Sequence, residues 1–312
     1  MKKNLNLYKI VIIGFGTQGR KRYQILRNLN CNLFIVDPLY KLSDAKKVED
    51  LEEDYKFAFV CTPDEEKFDI IKFLIKKRVK ILVEKPLYFK SIKKYQIINK
   101  LLSKNNKSIL YVAYNHRFEP NIQRLKKYLN KKLIGNIYLI EMYYGNGTSL
   151  LWKKSSWRSK DNKGVVFDLA PHLLDIYLFL FGNLPKKSIF FNKAKNENKC
   201  IDYGEFGNNN NKLITKFTTS LIDWKNKFFI NIIGSKGSLH IDSLCKWSDS
   251  IFTYRKRVYP SGLPIDKKFI ARKNDPTWNL EHLYFLKKIK KSNYKNDILI
   301  KKYIDKLFNE KK

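Results

Sequence analysis

Lys9-Ile10-Val11-Ile12-Ile13-Gly14-Phe15-Gly16-Thr17-Gln18-Gly19 is the stretch that decides the fold. A short run of Ile and Val reads as a strand buried on both faces of a parallel sheet. Three glycines follow in the spacing G-x-G-x-x-G, and from Tyr23 to Leu29 the apolar residues fall at helical intervals. Strand, glycine turn and helix together suit a dinucleotide pyrophosphate. Gly14 permits the tight turn, Gly16 lets the backbone approach phosphate, and Gly19 lets helix pack close to strand. The first amides of the helix, with its dipole, face the negative charge. Phe15, Thr17 and Gln18 complete the turn and join the three glycines as candidate cofactor contacts. Taken alone, the same spacing also fits an ordinary strand-to-helix turn.

Working outward, residues 31–36 form a second strand that ends at Asp37, 18 residues past Gly19. That is where a dinucleotide fold places the carboxylate for the adenosine ribose hydroxyls. A carboxylate there repels a 2′-phosphate, so NAD is expected as cofactor; Lys41, close by in sequence, keeps NADP as an alternative. Asp37 before Pro38 also fits a turn-starting aspartate, and its distance from the glycine turn favours the ribose role. Strands and helices then alternate. A strand over 57–61 leads to Thr62-Pro63, and a helix over 64–77 opens with Asp64, Glu65 and Glu66, which complement its dipole. A strand over 79–84 ends in Glu84-Lys85-Pro86, a helix runs over 91–104, and a last strand begins at 108. This is an α/β, doubly wound parallel sheet, and it predicts a first, NAD-binding Rossmann domain over 1–118.

Beyond it the pattern predicts a C-terminal α+β domain over 119–312, with an open-faced, mostly antiparallel sheet. Helices are expected over 120–131, from about Asp168, over 278–291 and over 297–308. Strands are expected over 135–144, 188–192, 212–222, 228–233 and 238–241. The tract from Gly207 through Asn211 reads as a polar loop.

The 312 residues suffice for two cores, and 44% hydrophobic content is that of a globular protein. No signal peptide is visible, and the longest apolar run, 176–181, falls far short of the roughly 20 residues a membrane span needs. A soluble, cytoplasmic protein with no membrane partner is expected. The formal charge of +34 raises nucleic acid as a partner, but only 10 of the 63 basic residues are Arg. The lysines are scattered in pairs with no stripe, zinc pattern or aromatic RNA-binding signature, so no nucleic-acid partner is expected. Cys31, Cys61, Cys200 and Cys245 lie far apart and predict reduced thiols, with no metal site.

Four stretches in order, GFGTQG at 14–19, EKP at 84–86, YNHRF at 114–118 and GVVFDLAPHLLD at 164–175, resemble the glucose–fructose oxidoreductase/inositol dehydrogenase (Gfo/Idh/MocA) family. The resemblance spans nearly the whole chain. It implies an NAD(P)-dependent oxidoreductase acting on CH–OH groups, moving a hydride between a sugar, sugar-nucleotide or cyclitol carbinol and nicotinamide. By resemblance, Lys85, Asp168 and His172 are the catalytic set. His172 exchanges the proton that leaves the alcohol, and Lys85 binds and polarises the reacting oxygen. Asp168 and His172 are four apart, which puts them on one face of a helix that has begun by Asp168. Asp168 as a helix N-cap and His172 as an ordinary helix residue is the other way to read the pair.

The resemblance also implies that Thr62, Pro63, Glu84 and Lys85 touch the cofactor, and that Asn115, Arg117, Trp157 and Arg158 touch substrate beside Lys85, Asp168 and His172. Arg158 fits a structural ion pair equally well, and Asp175 either contacts substrate or anchors its helix. Arg22 and Lys67 stand where many members carry histidine, and Lys163 where a glycine is common. Two other functions remain: an NAD-dependent glycosidase-type enzyme that oxidises its sugar transiently, and a non-catalytic NAD- or sugar-binding protein. Since family members cover the exposed sheet face with another subunit, a homodimer or homotetramer is expected.

Overall fold

Four of the five residues of β1 (Lys9–Ile13) are buried, because its neighbours cover it on both edges and helices cover both faces. It pairs in parallel with β2 (Asn32–Val36) and β3 (Phe57–Val60). With β4 (Lys80–Glu84) and β5 (Ile109–Ala113) they form a five-stranded sheet in the order β2-β1-β3-β4-β5. Helices α1 (Thr17–Asn28), α2 (Asp64–Lys76) and α3 (Ile92–Lys104) make the crossovers. Ser91 caps α3 by accepting a hydrogen bond from the Lys93 amide. The strand order reverses at β1, so the carboxyl ends of β1 and β3 flank the crevice where such sheets bind ligands.

The structure is a computed structural model that describes residues 8–89, 91–152, 164–185, 189–209 and 212–309. Past β5 come α4 (Pro120–Asn130), β6 (Ile137–Gly145) and α5 (Gly164–Phe181). The remaining strands are β7 (Ile189–Ala194), β8 (Tyr203–Asn209), β9 (Ile214–Ser220), β10 (Lys227–Gly234), β11 (Gly237–Asp242), β12 (Ser250–Lys256) and β13 (Asp266–Ala271). They form an eight-stranded sheet with β6, in the order β13-β12-β11-β10-β6-β9-β8-β7. Every pairing is antiparallel except that of β6 with β9. Helix α5 lies on β6, β8 and β9, and α4 on β11, β12 and β13.

Three differences from the expected elements have local causes. Gly207, Asn208 and Asn209 belong to β8 and pair with Lys216, Thr215 and Ile214 instead of forming a loop. Strands β12 and β13 carry no clear sequence signal because polar and apolar residues mix on both of their faces, leaving no apolar alternation. Helix α5 starts at Gly164, well before Asp168. Gly164 has φ +49°, and a side chain there would run into the Ile201 carbonyl, which accepts the Val165 amide at 2.8 Å. The 18 residues of α5 have a mean hydropathy of 1.6, enough by length and composition to cross a bilayer, yet 78% of them are buried.

Helices α6 (Thr277–Lys287) and α7 (Tyr294–Asn309) end the chain. By contact the chain divides into two units, Met1–Tyr114 with Trp278–Asp297, and Asn115–Thr277 with Ile298–Lys312. Most of α6 therefore returns to the first unit, where Phe285, Leu286 and Ile289 share a core with Ile10, Phe59 and Leu82. Helical spacing alone cannot show which sheet a terminal helix covers.

Candidate functional site

In the first unit, Gly14 turns the chain at φ +88°. A side chain on Gly14 would crowd Cys61 and Thr62 at the end of β3, and one on Gly19 would strike the Gly14 carbonyl. Gly16 differs, because a side chain added there would meet nothing within 4 Å. That open space fronts the N-terminus of α1, whose cap makes no side-chain hydrogen bond and whose first turn holds no acid. Space beside unscreened amides fits a pyrophosphate. Asp37 lies where its carboxylate accepts the Phe15 amide at 2.7 Å, the Leu39 amide at 2.8 Å and the Tyr40 amide at 2.9 Å. Burial works against ionisation, but these three amides outweigh it and hold the carboxyl below its ordinary range. Oδ2 keeps a lone pair for a ribose hydroxyl. Thr62 Oγ1 is buried without a hydrogen-bond partner among the described residues. The set fits a dinucleotide.

At the end of β4, Glu84-Lys85-Pro86 leaves the sheet with a cis Lys85–Pro86 bond. Glu84 accepts a hydrogen bond from Arg22 Nε at 2.6 Å, and Arg22 Nη1 reaches Glu281 at 3.2 Å. Burial opposes the Arg22 charge, but Glu84 and Glu281 more than offset it, and its pKa is raised. Burial and Glu84 push the Cys61 thiol up to about 12, so it stays protonated. His282, stacked on Phe59 at 5.1 Å, is driven down to about 3 by burial and by Arg22. It packs as a neutral ring.

In the second unit, Asp168 and His172 both project from α5, one turn apart, each 9% exposed. Asp168 is the fifth residue of the helix and so is not its N-cap. Pro171 withdraws one amide from the ladder between them. His172 stacks on His116 at 4.6 Å and lies 5.7 Å from the Tyr144 ring. The Tyr144 hydroxyl accepts a hydrogen bond from Lys246 Nζ at 2.8 Å. Burial lowers Lys246 to about 8, against the opposing pull of Asp275, Glu119 and Asp168. The arrangement groups two imidazoles, a phenol, an ammonium and a carboxylate, enough to bind a hydroxylated ligand and move a proton.

Other expected substrate residues are engaged locally. Arg117 grips both carboxylate oxygens of Asp175, with Nε at 2.6 Å from Oδ2. Burial raises the Asp175 carboxyl, and Arg117 pulls it back only in part. Asn115 donates to Thr277 Oγ1 at 2.7 Å. Trp157, Arg158 and Lys163 lie outside the described residues. Among the described residues no cluster of three or more metal-ligating side chains occurs. His116, Tyr144 and Lys246 were not singled out from sequence. His116 sits inside the YNHRF stretch and was legible there, whereas Tyr144 and Lys246 come from distant segments with no shared pattern.

Residues 31–114 match the oxidoreductase family with NAD-binding Rossmann fold (GFO/IDH/MocA), and residues 122–240 match the GFO/IDH/MocA C-terminal domain. The protein belongs to the GFO/IDH/MocA family, and its first unit is that family's NAD-binding Rossmann fold. Among curated relatives it is 27% identical over 169 residues to glucose-6-phosphate 3-dehydrogenase of Bacillus subtilis (strain 168). That match covers 51% of this chain and 45% of the relative, so the chain spans less than half of the relative's length. Among solved structures it resembles an oxidoreductase of Desulfitobacterium hafniense described as NADPH-dependent, with TM-score 0.80, 16% identity, and 98% and 97% of the two chains covered. An oxidoreductase of Agrobacterium radiobacter, solved with NAD+, L-tartaric acid and magnesium, gives 0.77 at 14% identity, covering 97% of each chain. These two likenesses are of fold.

Proposed function

We propose that the protein is an NAD-dependent dehydrogenase that moves a hydride between a secondary alcohol of a sugar, sugar phosphate, sugar nucleotide or cyclitol and the cofactor. The observation that carries it is Asp168 and His172, one turn apart and both nine-tenths buried on α5, in a chain whose other unit is an NAD-binding fold. The nicotinamide, when bound, supplies the hydride acceptor or donor. Gly14 through Gly19 hold the pyrophosphate, Asp37 the adenosine ribose, and Thr62, Pro63 and Glu84 belong to the nicotinamide side. Lys85 binds and polarises the reacting oxygen. His172 exchanges its proton, and Asp168 orients His172 or balances its charge. The sugar class is supported by the curated dehydrogenase relative. A titration of purified protein with NADH, followed by nicotinamide fluorescence, tests the reading; no binding of NADH or NADPH would end it.

We also propose a cytoplasmic homodimer or homotetramer. All four cysteines are free thiols, as in a reducing compartment. The large sheet exposes Tyr138, Ile214, Ile233 and Ile270 on its strands, apolar surface that a second subunit would cover. Light scattering on a sizing column decides the mass, and a monomer at micromolar concentration would refute it.

A further inference from the structure

Arg22 and Lys67, the two cations that stand where many members of the resembled family carry histidine, converge on one loop. Lys67 is a helix residue, yet its ammonium does not reach out to water as exposed lysines do. Its side chain is 3% exposed and turns inward. There Nζ donates to the Glu84 carbonyl at 2.8 Å, to the Pro86 carbonyl at 3.1 Å and to Asp64 Oδ1 at 2.7 Å. Those carbonyls bracket Lys85 and Pro86 in the chain. Arg22, 1% exposed, holds the Glu84 carboxylate and is itself fixed by Glu281 and by the Trp278 ring at 4.7 Å. Two buried cations are a costly way to hold a loop, since an apolar filler of similar volume commonly serves stability as well. What they add is direction.

We infer that Lys67, seconded by Arg22, is a positioning residue for Lys85: it fixes the backbone before and after that lysine so that the ammonium is presented in one orientation. This rests on the proposed role of Lys85. Misplacing a reacting group by about 1 Å costs on the order of 100-fold in rate, so loosening the loop lowers turnover while leaving the dinucleotide turn intact.

The test compares Lys67→Met, Lys67→Gln, Asp64→Asn and Lys85→Ala in the full chain. Three readouts serve: turnover on a sugar substrate, NADH affinity by fluorescence, and acetic anhydride labelling of Lys85 relative to exposed Lys77 by peptide mass spectrometry. Lys67→Met and Lys67→Gln should lower kcat by about 10- to 100-fold. Their Kd for NADH should stay within about threefold, and the relative labelling of Lys85 should change at least threefold. Asp64→Asn, which leaves both carbonyl bonds in place, should keep kcat within about twofold. Labelling needs no substrate and decides the matter on its own. Unchanged relative labelling of Lys85 in both Lys67 variants would overturn the inference whatever kcat does, and with Lys85→Ala inactive it would leave the proposed function standing. Loss of a cooperative thermal transition in both Lys67 variants would assign a merely structural role and overturn it too. Full turnover by Lys85→Ala is a different result: it removes the role of Lys85, and the positioning claim goes with it.

Discussion

Asp37 is tied to Phe15: its carboxylate accepts the Phe15 amide at 2.7 Å. The acid we propose for the adenosine ribose therefore also holds Phe15, in the middle of the glycine turn. We expect NADH to bind at least about 10-fold tighter than NADPH, because the ionised carboxylate repels a 2′-phosphate. Asp37→Ser should narrow that ratio and loosen the turn, as paired fluorescence titrations would show. Since the folded carboxyl lies below its unfolded value, its stabilisation is present above the unfolded pKa and disappears as pH falls through the folded one. The difference in melting temperature between wild type and Asp37→Asn should be constant near neutrality and shrink in acid below about pH 4. A difference that persists there would contradict this.

Gly16 and Gly19 separate binding from folding. Gly16→Ala places a methyl group where nothing lies within 4 Å, so the melting temperature should hold within about 2 °C. The methyl would occupy the space we propose for phosphate, and Kd for NADH should then rise at least about 10-fold. Gly19→Ala drives a methyl into the Gly14 carbonyl, and should cost stability first. Equal effects of the two on melting would disprove the assignment of that space.

Much of this was legible because it is local. Strand, turn and helix at 9–28 announce themselves within one window, and Asp37 and Glu84-Lys85-Pro86 stand at strand ends that periodicity finds. The helical interval between Asp168 and His172 was legible too, but not where the helix begins. Gly164 starts α5 against the Ile201 carbonyl, a contact made across 37 residues of chain. Strand β13, Asp266-Lys267-Lys268-Phe269-Ile270-Ala271, pairs with β12 alone and stands at the sheet edge; with little of it buried, no apolar alternation marks it. Lys246 meets Tyr144 only through the folding of segments about a hundred residues apart, so nothing in either stretch foretells the pair.

Lys246 should leave a signature in alkali. Burial sets its pKa at about 8, against roughly 10.4 for an unfolded lysine. Below pH 8 the ammonium is charged in both states and the burial cost is carried in full. Between the two values only the unfolded chain binds the proton, so stability rises with pH. Lys246→Met should abolish that rise, which is on the order of 2 kcal/mol for a side chain that keeps some water. Urea unfolding of both proteins at pH 7 and pH 10 measures it; parallel stability changes would count against the buried ammonium.

Arg117 and Asp175 make a buried pair whose halves depend on each other. Asp175 is 1% exposed, so Arg117→Ala leaves a carboxylate with its main charge partner gone and should cost about 3–5 kcal/mol. Replacing both, Arg117→Leu with Asp175→Leu, should recover most of that in urea unfolding. A single variant within about 0.5 kcal/mol of wild type would show that the pair does not hold the helix.

The proposed hydride transfer, assisted by Lys85 and His172, is read from absorbance at 340 nm. Wild type, Lys85→Ala and His172→Ala are each given NAD+ with hexoses, hexose phosphates, sugar nucleotides and cyclitols. We expect at least one substrate to raise the absorbance with wild type, and both variants to lose at least about 100-fold in kcat while still binding NADH. No rise with any of these compounds, or a rise that either variant reproduces at full rate, would contradict it.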